Sequence, residues 1–501
     1  MTKNERARAD ALYELFYEYT DAYRSEWQRM ERCERMYFGD SWRDIPQTDA
    51  KEPRPVMPII FSTVENIKAD LMDGMPEAVI TADDAKHTAL AERLTKVVRE
   101  NHDRARYTRE YAELIHDLLV CGTMIQETGC DLGDGYGAGG GFIRHVDCRS
   151  IMFDPTCTDI QDSRAVFKFT PKLREWYKAH YPKHEALMHA DAADDLCMGN
   201  ADTGAERILL IECWEREYDE SQDIYRIHMC KLAGGQLLED SRYIKPQGYY
   251  RHGKYPFVVT PLYAKKGSCL GLSVSDMFAD RQQLADKLDQ IVLKNALLSS
   301  HNKLLVTGAS GFDTDDLCDW SKEVHRGDSL SGISWFSTAP LPSYLIGYID
   351  NMRQSVKEES GANEFSRGSS TAGVTAASAI SALQEMSSKR SRMALRLVHD
   401  AFCEAVEQEL DAHIEFYGLT EAHKGCDCAM RPLGMSVSVK AQKQNRFSVL
   451  AHNELIIQLV KLGMLTPNVG LELMLFDSKE QALELMKKQA RLGYPQVNLH
   501  G

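Results

Sequence analysis

The sequence predicts an α+β fold, with hairpin strands and helices mixed in its first half and mainly helices in its second. Short strands bounded by turn residues recur between residues 122 and 262, with Gly234-Gly235 at one hairpin turn. Because these strands follow one another without long intervening helices, we expect antiparallel hairpins rather than βαβ units. Apolar residues at helical spacing mark the longest helices. These cover residues 4–37, 274–300, 343–359 and 379–417.

Within this frame, further elements are predicted in chain order. Helices are expected at residues 61–72, 85–103, 108–120, 171–180 and 447–462, and strands at 78–81, 122–128, 141–147, 151–153, 164–170, 208–217, 224–232, 236–240, 255–262 and 435–440. Residues 185–206 are polar and predict an insertion. Residues 303–337 predict a compact strand-containing module between two helices.

Length and composition are those of a globular protein. The 501 residues suffice for about two to four domains, and 43% hydrophobic with 27% charged residues is an ordinary balance. No apolar run approaches about 18 residues, so no transmembrane helix is expected. The polar residues 1–8 lack a signal-peptide core, and 13 unevenly spaced cysteines suit free thiols in a reducing cytoplasm.

The net charge of −15 limits the ways in which the chain could meet nucleic acid. Tight non-specific binding requires clustered lysine and arginine, which an acidic chain does not favour. A channel through which DNA slides remains compatible with this charge, because attractive contacts would add friction.

Motifs for catalysis and cofactor binding are weak. Residues 135–140 match G-x-G-x-x-G, but a strand follows, so we interpret them as a hairpin loop and not a dinucleotide site. Residues 267–271 imitate a nucleophile elbow with Cys269 in the serine position, but a polar turn precedes them, so a structural lead into the helix at residue 274 is favoured. We predict no enzyme activity and no cofactor.

One cluster has metal-like spacing. It contains His423, Cys426 and Cys428, with His413 ten residues earlier. Structural zinc usually takes two cysteine pairs, and no second pair is evident, so we predict no metal site and keep a metal here as the alternative.

The helix at residues 274–300 carries a seven-residue apolar repeat, formed by Met277, Leu284, Leu288, Ile291 and Leu298. Such a seam packs against other helices. Arg281 and Asn295 interrupt it and favour packing between subunits, with a core helix inside one chain as the alternative. Leu288→Asp should destabilise assembly, because it would bury an unpaired charge in this seam.

A small-residue segment and a basic cluster lie further along the chain. Residues 368–373 are glycine, serine, threonine and alanine, which predicts a slim solvated loop. The basic residues that follow are Lys389, Arg390, Arg392 and Arg396. They could face phosphates, or pair with Glu404, Glu407 and Glu409 across a subunit boundary; we favour salt bridges with at most transient DNA contact.

This order of helix, small strand module, helix, small-residue loop and long helix resembles the bacteriophage portal proteins, also called head–tail connectors. The likeness covers residues 10–420 and lies in order and context, since portals have no catalytic signature. The stretches that carry it are residues 36–42 (MYFGDSW), 147–155 (DCRSIMFDP), 271–274 (GLSV), 282–284 (QQL), 360–363 (SGAN) and 376–380 (AASAI).

The resemblance implies a division into regions. These are an α/β wing at residues 1–270, stem helices at 271–300 and 343–362, a small α/β clip at 301–342, a tunnel loop at 363–377, a long wing helix and return strand at 378–445, and a helical crown-like region at 446–501. In the clip it implies Trp320, Trp335 and Phe336 as contact residues, with buried aromatics as the alternative. In the tunnel loop, the resemblance implies that seven residues lie near the DNA, namely Arg367, Gly368, Ser369, Ser370, Thr371, Gly373 and Thr375.

The implied function is that of a portal vertex in the virion, assembled in the host cytoplasm. A homo-oligomeric ring, usually a dodecamer, would surround an axial channel for packaging and ejecting double-stranded DNA. Implied partners are the terminase large subunit, a head–tail adaptor, the major capsid and scaffold proteins, and DNA transiently and without sequence specificity, but no membrane. The alternatives are another oligomeric head–tail component and, less favoured, a nuclease or cysteine-dependent hydrolase.

Overall fold

Helices and antiparallel strands are mixed in the structure, as the α+β prediction requires. The computed structural model describes residues 3–47, 52–131, 139–184, 207–220, 223–250, 252–300, 303–308, 311–317, 324–327, 330–336, 342–360, 389–417, 434–441, 446–466, 469–470 and 473–474. In these segments, no helix is long and apolar enough to cross a membrane.

The helices of the described segments are α1 (Lys3–Tyr37), α2 (Ile59–Asp73), α3 (Thr88–Ala105), α4 (Tyr107–Val120), α5 (Arg174–His180), α6 (Ser241–Ile244), α7 (Val274–Ser300), α8 (Thr314–Leu317), α9 (Ser343–Ser360), α10 (Lys389–Tyr417) and α11 (Arg446–Lys461). The strands are β1 (Pro76–Ala82), β2 (Thr123–Asp131), β3 (Gly140–His145), β4 (Ile151–Phe153), β5 (Ala165–Leu173), β6 (Arg207–Asp219), β7 (Ile224–Ala233), β8 (Gln236–Asp240), β9 (Phe257–Pro261), β10 (Tyr263–Ala264), β11 (Gly271–Leu272), β12 (Lys303–Val306), β13 (Ile333–Phe336) and β14 (Met435–Ala441).

All of the described strand pairs are antiparallel. Strands β4 to β8 form a five-stranded sheet in sequence order, and β2 lies between β3 and β9 in a three-stranded sheet. Strand β1 pairs with β14, with Pro76 opposite Ala441, so the return strand closes onto the first half of the chain. Strand β12 pairs with β13.

Helix α1 packs on the five-stranded sheet through aromatic side chains. Phe16 meets Phe167 and Phe169 edge to face, with ring centroids 5.5 and 5.8 Å apart. About two turns further along the same face, the Tyr23 hydroxyl accepts a hydrogen bond from the Phe153 amide at 3.3 Å. The apolar residues of α1 recur at helical spacing, which places this stripe against the sheet.

A second core forms around α10. Its predicted apolar face is buried, with Phe402, Val406 and Leu410 at 0% exposure. These side chains belong to one core with residues of α3, α4, β1 and β14. The predicted apolar face is therefore confirmed over the described part of this helix, and residues 379–388 lie outside the described segments.

One element differs in kind from its prediction. Residues 171–173 continue strand β5, and helix α5 begins only at Arg174. Strand β4 pairs with β5 only at residues 166–168, so Pro171 has β6 as its sole strand neighbour. On the side of β5 away from β6, no described strand lies opposite Pro171. Proline is tolerated there because an amide hydrogen on that side would have no strand to bond to.

Candidate assembly interface

Helix α7 presents one buried face and one exposed face. The buried residues lie in its first half and contact α1, α2 and α4. They are Val274, Ser275, Phe278, Ala279, Gln282, Ala285 and Asp286. In the described stretch 287–300 no residue is buried. These last 14 residues extend for about 21 Å, so the helix leaves the core part-way along its length.

The predicted apolar seam lies on the exposed face of α7. The exposed fractions are 50% for Met277, 42% for Leu284, 48% for Ile291 and 43% for Leu298, and Leu288 is half-buried. The alternative of a seam packed inside one chain is therefore wrong. An apolar stripe at seven-residue spacing is thus left exposed within the described part of the chain, and such stripes mark packing against other helices.

Helix α9 contacts α7 and carries exposed apolar residues of its own. Tyr344 is 71% exposed, Ile346 55% and Tyr348 50%, whereas Ile349 is buried. Between the two helices, the hairpin of β12 and β13 exposes Trp335 to 67%. The buried-aromatic alternative is thus wrong for Trp335, while Trp320 and the side chain of Phe336 lie outside the described residues.

The opposite side of α7 holds the proline-containing segment before α2. Gln282, Asp286, Gln290 and Lys294 are four residues apart and so form one line along the helix. The Asp286 carboxylate accepts from the Met57 amide at 2.7 Å, and the Gln290 side chain donates to the Pro53 carbonyl at 2.9 Å.

The ends of this line make further bonds. Gln282 accepts from the Ile59 amide at 3.0 Å, and the Lys294 ammonium lies 3.2 Å from Glu52. We call residues 52–59 the strap. Four-residue spacing of polar side chains was visible in the sequence, but nothing there showed which segment they hold.

The basic cluster is only partly described. Arg396 is exposed and Arg392 half-buried, while the side chains of Lys389 and Arg390 lie outside the described residues. Residues 363–377, the predicted tunnel loop, lie outside them as well.

One proposed partner of this cluster requires correction. Glu409 has 0% exposure and accepts hydrogen bonds from Asn101 at 3.2 Å and His102 at 2.9 Å, treating that ring nitrogen as the donor. A carboxylate enclosed by its own chain cannot form a salt bridge across a subunit boundary. Glu404 is exposed and Glu407 half-buried, so the intersubunit pairing stays a prediction for these two.

Neither Cys269 nor Cys148 has the setting of a catalytic nucleophile. The strand β11, and not a helix, follows Cys269, so the elbow geometry is absent and the structural interpretation is confirmed. Cys148 donates to the Thr123 carbonyl at 2.8 Å, and burial raises the pKa of its thiol well above the usual value. A protonated, enclosed thiol is a poor nucleophile.

The glycine motif and the metal-like cluster are described only in part. Gly140, the last glycine of the G-x-G-x-x-G match, opens strand β3 in a hairpin with β2, so the hairpin interpretation is confirmed. Among the described residues there is no group of three or more metal-ligating side chains. His423, Cys426 and Cys428 lie outside the described segments, so no finding tests them.

His145 and Asp117 give a pH-dependent contribution to stability. Burial alone would lower the pKa of His145, but its 2.8 Å hydrogen bond to Asp117, with the charges of Asp117, Asp147 and Glu113, raises it. The folded chain therefore holds this proton more tightly than the unfolded chain, whose histidine has a pKa of about 6.5. The stabilisation is complete below that pH and is lost as the pH rises through the folded value.

Asp117→Asn should therefore lower the free energy of unfolding more at about pH 6 than at about pH 9. The difference should be about 1.5 kcal/mol, the lower end of the range for a hydrogen bond to a charged group. Urea unfolding of both proteins at the two pH values measures it. An equal loss at both would show that the proton on His145 contributes nothing.

Comparison with known proteins gives a match to a family model and similarity to solved structures. A family model described as "Phage P22-like portal protein" matches residues 13–267, which is 255 of the 501 residues. No curated protein matches the sequence. A chain in a solved structure titled "Virion of native gene transfer agent (GTA) particle" aligns at 10% identity with a TM-score of 0.41, over 82% of this chain and 87% of that chain.

Proposed function

The chain belongs to the phage P22-like portal protein family, and we propose that it forms the portal vertex of a virion. Identical subunits, in the usual number of twelve, would close into a ring around an axial channel. Double-stranded DNA would enter the capsid through this channel during packaging and leave through it at ejection. The protein would act as a structural conduit and not as an enzyme.

The observation that carries the ring is the uncovered apolar stripe of α7. Its four outermost side chains are 42–50% exposed, although the same helix buries its other face in the core. A cyclic ring closes through heterologous contacts, in which one surface of a subunit meets a different surface of the next. The exposed Tyr344, Ile346 and Tyr348 of α9 supply such a second surface.

The regions then take the roles that the family resemblance implies. Residues 1–270 would be the wing, which meets the major capsid and scaffold proteins. Helices α7 and α9 would be the stem, and the hairpin of β12 and β13 would belong to the clip. There, Trp335 would contact the terminase large subunit and later the head–tail adaptor. Residues 446–501 would form the crown-like region.

The DNA-facing role falls to residues 363–377 and to the basic cluster after them. Small side chains would let many copies approach the axis while leaving width for a duplex. Arg396 is exposed at the start of α10, where it could meet phosphates briefly. The overall charge of −15 supports transient contact over tight binding.

Mass photometry and negative-stain microscopy of the purified chain test the ring. A particle of about a dozen subunits with an axial hole wide enough for a duplex is the expected result. A compact dimer that persists at high protein concentration would contradict it. A ring without such a hole would favour another head–tail component, and metal-dependent DNA cleavage would favour the nuclease alternative.

Deletion of residues 367–372 should leave the ring intact and impair DNA packaging. Small, polar residues add little apolar contact area, so their loss should not weaken the subunit interface. Microscopy of the variant checks assembly, and DNA protected from nuclease inside the capsid measures packaging. Loss of the ring would show that this segment belongs to the interface instead of the channel.

A further inference from the structure

Two surface loops bring Cys157 and Cys269 together. Their sulfur atoms are 3.5 Å apart, and the Cys269 thiol also lies 3.3 Å from the Cys157 carbonyl oxygen. Cys157 follows strand β4, and Cys269 precedes β11 and α7, so residues 112 positions apart in the chain meet here. Neither the sequence motifs nor membership of the portal family requires this pair.

The pair lies just beneath the protein surface. Cys157 is 8% exposed and Cys269 5%, and both belong to the core that α1 forms with the five-stranded sheet. Thr156 and Thr158, on either side of Cys157, are exposed, as is Gly267. Hydrogen peroxide is therefore small enough to reach the two sulfur atoms past these exposed loop residues.

We propose that Cys157 and Cys269 form a reversible disulfide when the protein meets hydrogen peroxide. A disulfide needs the sulfurs at about 2.05 Å, so they must approach by about 1.5 Å. Rotation of the two side chains and small loop shifts can supply this. Gly267 helps, because it adopts a φ of +80° with no atom within 4 Å of a Cβ at its position.

The arrangement assigns a different role to each sulfur. Both acceptors available to the Cys269 thiol belong to Cys157, so Cys269 acts as the donor. This hydrogen bond lowers the pKa of Cys157 and raises that of Cys269. Cys157 is therefore the attacking thiolate, and Cys269 resolves the intermediate.

The reaction balances with one peroxide. The Cys157 thiolate attacks a peroxide oxygen and the O–O bond breaks, which gives a sulfenic acid on Cys157. The hydroxide that leaves takes up the proton that Cys157 released on ionising and becomes water. The Cys269 sulfur then attacks the Cys157 sulfur, the S–O bond breaks, and the leaving hydroxide takes the Cys269 proton as a second water. Two thiols are oxidised to a disulfide while one peroxide is reduced to two waters.

The bond would fix the β4–β5 loop to the segment that leads into α7. Helix α1 packs beneath this junction, with Tyr23 edge to face on Phe153 at 5.8 Å. The oxidised protein would thus link the segment just before α7 covalently to the loop that follows β4. This inference does not depend on the proposed function, and it stands if no ring forms.

Peptide mapping of the native full chain tests the bond. The reduced protein is treated with one equivalent of hydrogen peroxide, alkylated with N-ethylmaleimide, and digested without reductant. A linked peptide pair containing Cys157 and Cys269, lighter by two hydrogen atoms and lost on reduction, is the expected product. Cys157→Ser and Cys269→Ser should each abolish it, and Cys403→Ser, which removes a half-buried thiol on α10, should not.

Three outcomes would overturn the proposal. The first is full alkylation of both thiols in peroxide-treated protein, and the second is their separate oxidation to sulfinic acids. The third is a bridge between Cys213 and Cys230, which face each other across β6 and β7 at 0% exposure, in place of the loop pair. The peptide map of the wild-type protein alone decides among these outcomes. The test therefore does not depend on whether the serine variants fold.

Discussion

Leu284→Asp is expected to leave the subunit folded and to abolish its assembly. Leu284 is 42% exposed in the single chain, so a carboxylate there stays hydrated and the subunit keeps its core. In a ring, the neighbouring subunit would cover this side chain and strip the carboxylate of water without offering a partner. The cost should be about 3 kcal/mol per interface, which weakens each contact more than about 100-fold.

Leu173→Asp is the matched control. Leu173 ends strand β5 and is 45% exposed, so the same substitution adds the same charge at nearly the same exposure, away from α7. Mass photometry should show rings for the wild type and for Leu173→Asp, and single subunits for Leu284→Asp. Thermal unfolding should show the dissociated subunit folded. Rings formed by Leu284→Asp at wild-type concentration would show that the α7 stripe is not an interface.

Position 288 shows where the sequence alone falls short. The seven-residue pattern treats Leu288 as equivalent to Leu284, yet Leu288 is half-buried in the chain. Leu288→Asp would therefore disturb both the fold and the assembly, and its outcome would be ambiguous. A heptad identifies a stripe correctly, but the exposure of each member depends on how the helix tilts against its own core.

Local patterns predicted most of the elements, because periodicity and turn residues act over a few positions. The face of α10 is an example, with Phe402 and Val406 buried as its spacing indicates. Glu409 was misjudged, since its enclosure comes from Asn101 and His102, more than 300 residues away in sequence. Contacts across such distances leave no periodic signal.

The strap and the cysteine pair were missed for the same reason. Prolines at positions 53, 55 and 58 predict an extended segment but do not specify what it lies against. The residues that hold it come from α7, about 230 positions later in the chain by the spacing of Met57 and Asp286. Four of the five residues of the predicted α7 seam are exposed, whereas the role of the polar line was not predicted.

Asp286→Ala is expected to destabilise the protein and to release the strap. Asp286 is 1% exposed, and its carboxylate accepts hydrogen bonds from the Met57 amide, the Ser41 hydroxyl and the Gln282 amide. Alanine would remove the acceptor that the Met57 amide and the Ser41 hydroxyl share and open a cavity beside them, while the Gln282 amide would keep its bond to the Met57 carbonyl. The loss should be about 3 kcal/mol or more, since each unpaired buried group costs about 1–3 kcal/mol.

Asp280→Ala separates this effect from a general effect of removing an aspartate from α7. The Asp280 side chain is 93% exposed and pairs with Arg32 at the surface, where such pairs contribute little. Urea unfolding should therefore distinguish the two variants clearly. Hydrogen exchange followed by mass spectrometry should show faster exchange of the Met57 and Ile59 amides in Asp286→Ala alone. These two amides are the ones to follow between residues 57 and 59, because Pro58 has no amide hydrogen.

The two faces of α7 then predict opposite results. A charge added to the outer face should disrupt assembly and spare the fold, whereas a charge removed from the inner line should weaken the fold first. If Asp286→Ala unfolded like the wild type with unchanged exchange at Met57, Asp286 would not be the residue that holds the strap. In that case the strap would be held by its remaining bonds, from Gln282 and Gln290 of α7 and from Trp42, whose indole donates to the Pro55 carbonyl at 2.8 Å.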